Sequence, residues 1–278
     1  MRWPPTNAQR RRMWIIGSLA LLLFVLIPFL WMLLVSLVSR PDALATGEAT
    51  LTGHHYLNVL RDPSLNFMSY IRNSLIVSIV TAVIVTIVAT LAGYAVSRLE
   101  FPGRLLLPLG VLAVSMFPPI SIVGHLYRFF TDLGWLNTHA ALVLPYCALW
   151  LPLAVWITMS YFAQIPRDLD RAARVDGAGR LTIIGRVLLP IALPGIFSSF
   201  LLVAIASFNE FLLALMLTQD PSAQTLPVGI AMFEGLHGEI PWGDLMAASA
   251  LATLPLVVLT IFFQRYIVQG LMGGAVKG

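Results

Sequence analysis

Charged residues are scarce in this chain: only 11% of its 278 residues are Asp, Glu, Lys or Arg, while 58% are hydrophobic. A soluble domain carries roughly 25% charged residues, so the composition excludes an ordinary soluble domain and indicates an all-α integral membrane protein. Cysteine occurs once, as Cys147, which excludes a disulfide within the chain. Cys147 stands in an apolar run, where a cysteine usually serves as a small packing residue.

Lysine is equally scarce, and its one representative, Lys277, is followed only by Gly278. A P-loop needs a Lys followed by Ser or Thr to hold the phosphates and Mg²⁺. The chain therefore has no P-loop, and if ATP drives its action, another chain must bind the nucleotide.

Motifs for catalysis and metal binding are also missing. The sequence has neither G-x-S-x-G nor H-E-x-x-H, and of its five histidines only His54 and His55 are adjacent. Two loop histidines without further ligands at metal spacing do not make a metal site. We expect no catalytic residue and no metal. Because the basic residues lie between apolar segments, we also expect no nucleic-acid partner.

Long apolar runs are what the sequence has in abundance. A membrane span needs about 20 predominantly apolar residues. Six stretches reach that length: 13–38, 71–97, 105–124, 140–161, 191–217 and 245–268. The first is too long for a signal peptide, whose apolar part has about 7–15 residues. The sequence therefore predicts an N-terminal segment 1–12, a six-span transmembrane domain 13–268 and a C-terminal tail 269–278.

The distribution of basic residues predicts the orientation of these spans. With the N-terminus inside, the inner segments hold thirteen of the Lys and Arg residues and the outer segments hold four. Basic residues concentrate on the cytoplasmic side of membrane proteins. We expect a multi-pass protein of the bacterial cytoplasmic (inner) membrane, surrounded by lipid, with both termini and segment 164–190 in the cytoplasm.

Segment 164–194 is a polar island with internal order. It holds five of the seventeen basic residues and three of the thirteen acidic ones. Pro166 can open a short helix, Asp170 and Arg174 have the spacing of a helical ion pair, and Gly177 is placed to end the helix. A second amphipathic helix follows and should end at Pro190. Short helices need a partner surface to be stable. The alternative is an ordered loop that packs on its own protein.

This island resembles the EAA motif of ABC-importer permeases, which forms their cytoplasmic coupling helices. The resemblance rests on Arg171-Ala172-Ala173, Gly177 and Leu189-Pro190, with Arg171 standing where Glu is usual. It implies a type I ABC importer permease fold of six transmembrane helices. The residues that it assigns to ATPase coupling are Asp168, Asp170, Arg171, Ala172, Ala173, Arg174, Asp176, Gly177, Ala178, Ile184, Leu188 and Pro190.

The resemblance extends over about residues 56–278 and is similar to sugar-importer permeases of the maltose and trehalose type. Its softer motifs are 92–103, 116–118, 134–138, 144–146, the Asn209-Glu210 pair and the tail 270–278. The family implies a second permease of similar fold, two ATPase subunits that bind ATP and Mg, an external solute-binding protein and a sugar substrate. We also expect the tail to reach the ATPases, through Gly274 and Lys277, because its glycines make it flexible and Lys277 offers a donor; the alternative is a disordered terminus.

Glu210 is the one acid within a predicted span. A charge inside the membrane usually faces the bundle interior or a water-filled cavity. Asn209 and Glu210 are therefore candidates for the translocation path, the alternative for Glu210 being a purely structural bond between helices. Likewise, the small residues Ser74, Ser78, Ala82, Thr86, Thr90, Gly93 and Ser97 share one helix face, which serves either helix packing or pore lining.

Two further alternatives stay open at the level of sequence. The acidic segment 218–244 has four acids and no Lys or Arg, and is either a plain translocated loop or a surface for an external partner. The chain as a whole is either an ABC permease or an ATP-independent secondary transporter or channel. The latter class often shows broken helices and intramembrane charges at a midplane site.

Overall fold

The computed structural model describes residues 7–40, 44, 47, 49–104, 106–233 and 240–275, and these are predominantly helical. The helices are α1 (Asn7–Ser36), α2 (His54–Arg61), α3 (Phe67–Arg98), α4 (Leu106–Ser115), α5 (Ile120–Asp132), α6 (His139–Gln164), α7 (Arg167–Val175), α8 (Arg180–Thr182), α9 (Leu189–Phe208), α10 (Leu212–Leu217), α11 (Leu226–Ala231) and α12 (Trp242–Ala275). A 3₁₀ turn covers Pro63–Leu65, and a π-helical segment, Ile183–Leu188, joins α8 to α9.

Among the described residues, five helical stretches are long and apolar enough to cross a membrane, and a sixth span is formed if the bent pair α4 and α5 counts as one. The predicted span 105–124 differs from the structure, because α4 ends at Ser115 and α5 leaves it at 87°. Pro118 and Pro119 stand at this bend, and since proline lacks an N–H, it breaks the i→i−4 ladder. The predicted span 191–217 is also interrupted, between Phe208 and Leu212.

The chain divides into two compact units, 1–65 with 232–254, and 66–231 with 255–278. In the first, Asp244 at the start of α12 accepts hydrogen bonds from α2: its Oδ1 lies 2.7 Å from His55 Nδ1 and its Oδ2 lies 3.2 Å from Asn58 Nδ2. Ser36 at the end of α1 bonds the hydroxyl of Tyr56 at 2.7 Å. Most of α1 exposes apolar side chains all round, as expected of a helix in lipid.

The second unit is built on α3, α6 and α9. The predicted small-residue stripe of α3 is buried from Ser74 to Gly93, which favours the packing role over pore lining. At Gly93 a side-chain Cβ would lie 2.6 Å from the hydroxyl of Thr158 on α6. That hydroxyl donates to the carbonyl of Ala89 at 2.8 Å. Small residues thus let the two backbones approach closely, as in other membrane helices.

One end of this bundle, where α3 and α6 begin, is held by two asparagines. Asn73 is fully buried and donates to the carbonyls of Pro221 (3.1 Å) and Gln224 (2.9 Å). Asn137 has φ +59°, and its Oδ1 accepts the backbone N–H groups of Gln219 (3.0 Å) and Asp220 (3.2 Å). Neutral amides therefore fix segment 217–224 at this end.

Candidate functional site

Helix α7 forms the first half of the polar island. It begins after Pro166 and carries Asp168 and Asp170 in its first turn, where the helix dipole favours negative charge. Its last helical residue is Val175, and Gly177, two positions later, has a φ of +81°, as predicted for the residue that terminates the helix. The N–H of Gly177 donates to the Arg174 carbonyl (3.0 Å) and that of Ala178 to the Ala173 carbonyl (2.9 Å). These two bonds are a Schellman cap, which fixes the direction of the chain after the helix.

A buried ion pair anchors α7 to the bundle. Asp170 Oδ2 lies 3.4 Å from Arg98 Nη1, and the two side chains are 10% and 4% exposed. Arg98 also donates through Nη2 to two carbonyls at the end of α6, that of Phe162 (2.8 Å) and that of Ile165 (2.5 Å), the residue directly after the helix. The predicted pairing of Asp170 with Arg174 is therefore wrong: a buried guanidinium needs a partner more than a solvated one does.

The outward side of α7 carries exposed arginines with exposed apolar residues between them. Arg171 pairs with Asp168 at 3.0 Å, with both side chains largely exposed. Arg174 and Arg180 form no ion pair among the described residues. Three apolar side chains stand open beside these arginines: Leu169 (38% exposed), Val175 (88%) and Leu181 (85%). Because water solvates such side chains poorly, this face is suited to a partner surface.

The small residues of the motif divide between two environments. Ala172 and Gly177 are exposed, as is Asp176. Ala173 and Ala178 pack instead on a cluster within the chain that includes Tyr94 and Phe162. The resemblance assigned Ala173 to ATPase coupling together with Ala172. The structure instead places Ala173 against its own bundle, because it lies on the same side of α7 as the buried Asp170.

The second half of the island is not a separate short helix. Residues 180–208 form one continuous helical stretch, so Pro190 does not end it as expected. The π segment explains this: Leu189 N–H donates to the carbonyl of Ile184, five residues back, and this wider turn accommodates the proline that follows it. Leu188 is fully buried and Ile184 half-buried in the same cluster, so both support the bundle.

Asn209 and Glu210 stand at the break between α9 and α10. Glu210 accepts the backbone N–H groups of Leu213 (2.9 Å) and Ala214 (3.2 Å) and the hydroxyl of Tyr146 (2.6 Å). Its carboxylate thereby caps the helix that restarts after the break. Asn209 is exposed, and its side chain bonds only to the Ile205 carbonyl in the described residues, at 2.8 Å.

A cavity of about 510 Å³ lies on the inner side of the α4–α5 bend. Its walls come from α4, α5 and α6 and from Leu213, and they are almost wholly apolar. A sugar needs hydrogen-bonding groups to bind, so this cavity does not match that ligand.

The remaining predicted site residues are in the C-terminal tail, and some of them lie outside the residues that the structure describes. Helix α12 continues to Ala275, so the backbone of Gly274 is helical where a tail was expected to begin at 269. Lys277 lies outside the described residues. In the part of the chain that is described, no group of three His, Cys, Asp or Glu side chains is placed to hold a metal ion.

Sequence reasoning missed Arg98. Its signal was present, since Arg98 ends a long apolar span just before Leu99-Glu100, but such an arginine is usually interpreted as a solvated flank. Its burial and its bonds to α6 and α7 depend on tertiary structure. No local pattern encodes them.

Comparisons with known proteins agree with this architecture. Residues 86–273 match the family model of the binding-protein-dependent transport system inner membrane component. The chain is 49% identical to the trehalose/maltose transport system permease protein MalG of Thermococcus litoralis, covering 97% of this chain and 98% of that protein. It is 38% identical to the trehalose transport system permease protein SugB of Mycobacterium tuberculosis, covering 98% and 100%.

Solved structures extend the agreement to the fold. A bacterial ABC transporter involved in the import of the acidic polysaccharide alginate matches 95% of this chain and 99% of its own, with a TM-score of 0.74 at 21% identity. That likeness establishes the type I ABC importer permease fold. The chain belongs to the family of binding-protein-dependent transport system inner membrane components, the multi-pass permeases of ABC importers.

Proposed function

We propose that this chain is one of two permease subunits of an ATP-driven importer for a sugar of two or a few units, such as trehalose or maltose. An external solute-binding protein delivers the sugar, and this chain forms half of the translocation path. The names of the relatives that are 49% and 38% identical support the sugar class.

The observation that carries the coupling role is the rigid presentation of α7. The Arg98–Asp170 pair holds its inner side and the Schellman cap holds its end, so the outer face keeps one direction. Leu169, Val175 and Leu181 then offer an apolar centre to an ATPase subunit, which would cover them on docking. Arg171, Arg174 and Arg180 form a polar rim that pairs with acids, an arrangement common in protein interfaces.

ATP and Mg bind to two partner ATPases in this proposal, and the chain itself is not catalytic. The sequence lacks a P-loop lysine, which supports the binding of ATP by separate subunits. Both termini and α7 face the cytoplasm, an orientation supported by the thirteen basic residues of the inner segments.

Asn209 and Glu210 are proposed to face the translocation path or the partner permease. Glu210 is bonded within the chain, so its role there is to shape the break, whereas the exposed Asn209 amide is the group free to meet a sugar hydroxyl. Replacing Asn209 by Ala should raise the substrate concentration needed for half-maximal uptake. An unchanged value would remove Asn209 from the path.

The tail is proposed to reach the ATPases. Deleting residues 270–278 should weaken the stimulation of ATPase activity by sugar and binding protein. Full stimulation in the deleted protein would contradict the proposal.

The function as a whole is tested by reconstituting the complete complex in vesicles with its binding protein. We expect uptake of trehalose or maltose that requires ATP in the ATPase compartment. Uptake of a sugar without ATP, or uptake of none among a panel of disaccharides, would overturn it.

A further inference from the structure

A basic pocket of about 400 Å³ lies between the end of α3 and helix α7. Five arginines and two acids contribute to its walls, together with Leu99. The charged residues are Arg98, Arg167, Arg171, Arg174, Arg180, Glu100 and Asp170. Arg171, Arg174 and Arg180, which form the rim of the proposed ATPase-docking face, also line this pocket, so the pocket and the docking face adjoin.

The ion pairs among the described residues leave two of the five guanidinium groups without an acidic partner. Arg98 is bound to Asp170 at 3.4 Å. Arg167 lies 4.0 Å from Glu100, and Arg171 uses Asp168, which is outside the pocket.

The two arginines that remain are Arg174 and Arg180. Neither makes an ion pair with any described residue. The pocket therefore carries a surplus of positive charge that the described part of the chain does not neutralise.

We propose that this pocket binds a phosphate group. Guanidinium groups present N–H donors in a planar fork that matches the oxygens of phosphate. A free phosphate or phosphate monoester carries about −1.5 to −2 charges at pH 7, and the phosphodiester of a lipid headgroup carries about −1; two unpaired arginines can neutralise either. Each arginine has five N–H donors, so Arg174 and Arg180 can hold a phosphate on the inner side and still meet a partner on the outer side.

The position of the pocket indicates two sources for that phosphate. The membrane-length helix α3 ends at Arg98, so residues 98–100 lie at the level where lipid headgroups meet a spanning helix. Basic pockets beside transmembrane helices bind anionic headgroups. The second source is phosphate dissolved in the adjacent aqueous phase.

A bound phosphate would tie Arg180, after the Schellman cap, to Arg174 within α7. It would stiffen the one turn between α7 and the long helix that begins at Arg180. The ligand would thus regulate how firmly α7 is presented, without touching substrate.

The test uses the full-length chain in detergent, the double variant Arg174→Gln/Arg180→Gln, and Arg186→Gln as the matched control. Arg186 is exposed and nearby in sequence but does not line the pocket. Native mass spectrometry measures binding of phosphatidylglycerol against phosphatidylcholine, and equilibrium dialysis measures binding of inorganic phosphate. Circular dichroism checks that all three proteins are equally helical.

In the native chain and in Arg186→Gln we expect about tenfold tighter binding of at least one anionic probe than in the double variant, the change expected for losing charge-assisted bonds. Preference for phosphatidylglycerol identifies the lipid headgroup as the source, and binding of inorganic phosphate alone identifies the dissolved one. Equal binding of both probes by the native chain and the double variant would overturn the proposal. This outcome is independent of ATPase docking, since no ATPase is present.

Discussion

The two ends of the α3–α6–α9 bundle are held by different chemistry. At one end Arg98 joins three helices through an ion pair and two carbonyls, with side chains almost wholly buried. At the other end Asn73 and Asn137 hold segment 217–224 through neutral amide bonds. The charged anchor orients a side-chain surface. The amide anchors bond mainly to backbone groups, although the Asn137 amide also donates to the side chains of Asp220 and Ser222. The end that must present α7 in one direction is thus the end that uses buried charge.

Each end also contains a helix that is followed by a Schellman cap, and this shared feature makes the comparison testable. After helix α5, Gly134 (φ +67°) forms the same kind of cap that Gly177 (φ +81°) forms after α7. The Gly134 N–H donates to the Thr131 carbonyl and the Trp135 N–H donates to the Phe130 carbonyl. A Cβ added at either glycine would meet no neighbouring atom within 4 Å among the described residues. The two caps therefore differ in place and not in local geometry.

The largest effect is expected from Arg98→Gln. It leaves Asp170 buried without its cation, and breaking a buried pair in this way costs about 3–5 kcal/mol. The midpoint of thermal unfolding in detergent should fall clearly. Arg171→Gln, which breaks an exposed pair, is the control and should change the free energy of unfolding by less than about 1 kcal/mol. Equal shifts in the two variants would mean that burial does not distinguish these pairs.

The next largest effect is expected from Gly177→Trp, which should impair coupling rather than stability. The variant is expected to insert normally and to lose coupling of ATP hydrolysis to transport by about tenfold to a hundredfold, the range of typical coupling energies. The indole would hold the ATPase away from α7, and the positive φ adds strain for any side chain. Uptake and ATPase activity of the reconstituted complex measure this.

Gly134→Trp supplies the matched control for that variant, because it carries the same backbone strain at the other end. It should retain the ATPase subunits on purification. A fully coupled, native-like complex containing Gly177→Trp would refute the docking assignment, as would equal loss of ATPase from both variants.

Asn137→Ala is expected to have a smaller effect, confined to the amide-held end. It removes the side-chain bonds to segment 217–222 and leaves a non-glycine residue in the left-handed region. Together these should cost about 1–3 kcal/mol locally. Hydrogen–deuterium exchange of residues 217–222 should quicken, with ATPase retention unchanged. Asn137→Gly separates the causes, since it relieves the strain but not the lost bonds; protection equal to the native chain in Asn137→Gly would assign the effect to strain alone.

The smallest effect concerns Asp220. The hydroxyl and backbone N–H of Ser222 lower the pKa of this carboxyl below its ordinary 3.8. A carboxyl whose pKa is lower in the folded chain than in the unfolded chain stabilises the fold at a pH above its unfolded-state pKa. This stabilisation disappears as the pH falls through the folded-state pKa. Ser222→Ala should therefore be slightly less stable than the native chain at neutral pH. The difference should vanish as the pH falls below the folded pKa, and an acid titration of the unfolding midpoint would show this; a difference that grew on acidification would contradict the assignment.

The sequence predicted the elements of the basic end better than their contacts. The length of the apolar runs located the spans, and Gly177 marked the end of α7, because span length and helix caps are local properties. Asp170 was paired wrongly, since its true partner Arg98 is distant along the chain and is brought near only by the tertiary fold.

The interruptions of the spans were harder to predict for a related reason. The Pro118-Pro119 pair signalled a kink but not its 87° angle, which depends on how α4 and α5 pack. The break at Asn209 carries no proline or glycine; the Glu210 carboxylate stabilises it by capping α10. For Glu210 the structural alternative thus has direct contacts in its favour, while its place beside the translocation path stays a prediction.

The π segment Ile183–Leu188 has a consequence for how this loop tolerates insertion and deletion. A π turn amounts to one residue more than an α turn would hold, and one residue rotates a helix by about 100°. Deleting a single residue such as Gly185 would restore α-helical register from Arg180 onward. Everything before it would then turn by about a quarter of a circle relative to α9. Among gene sequences of similar proteins, a one-codon deletion here should therefore be rarer than point changes at the same positions.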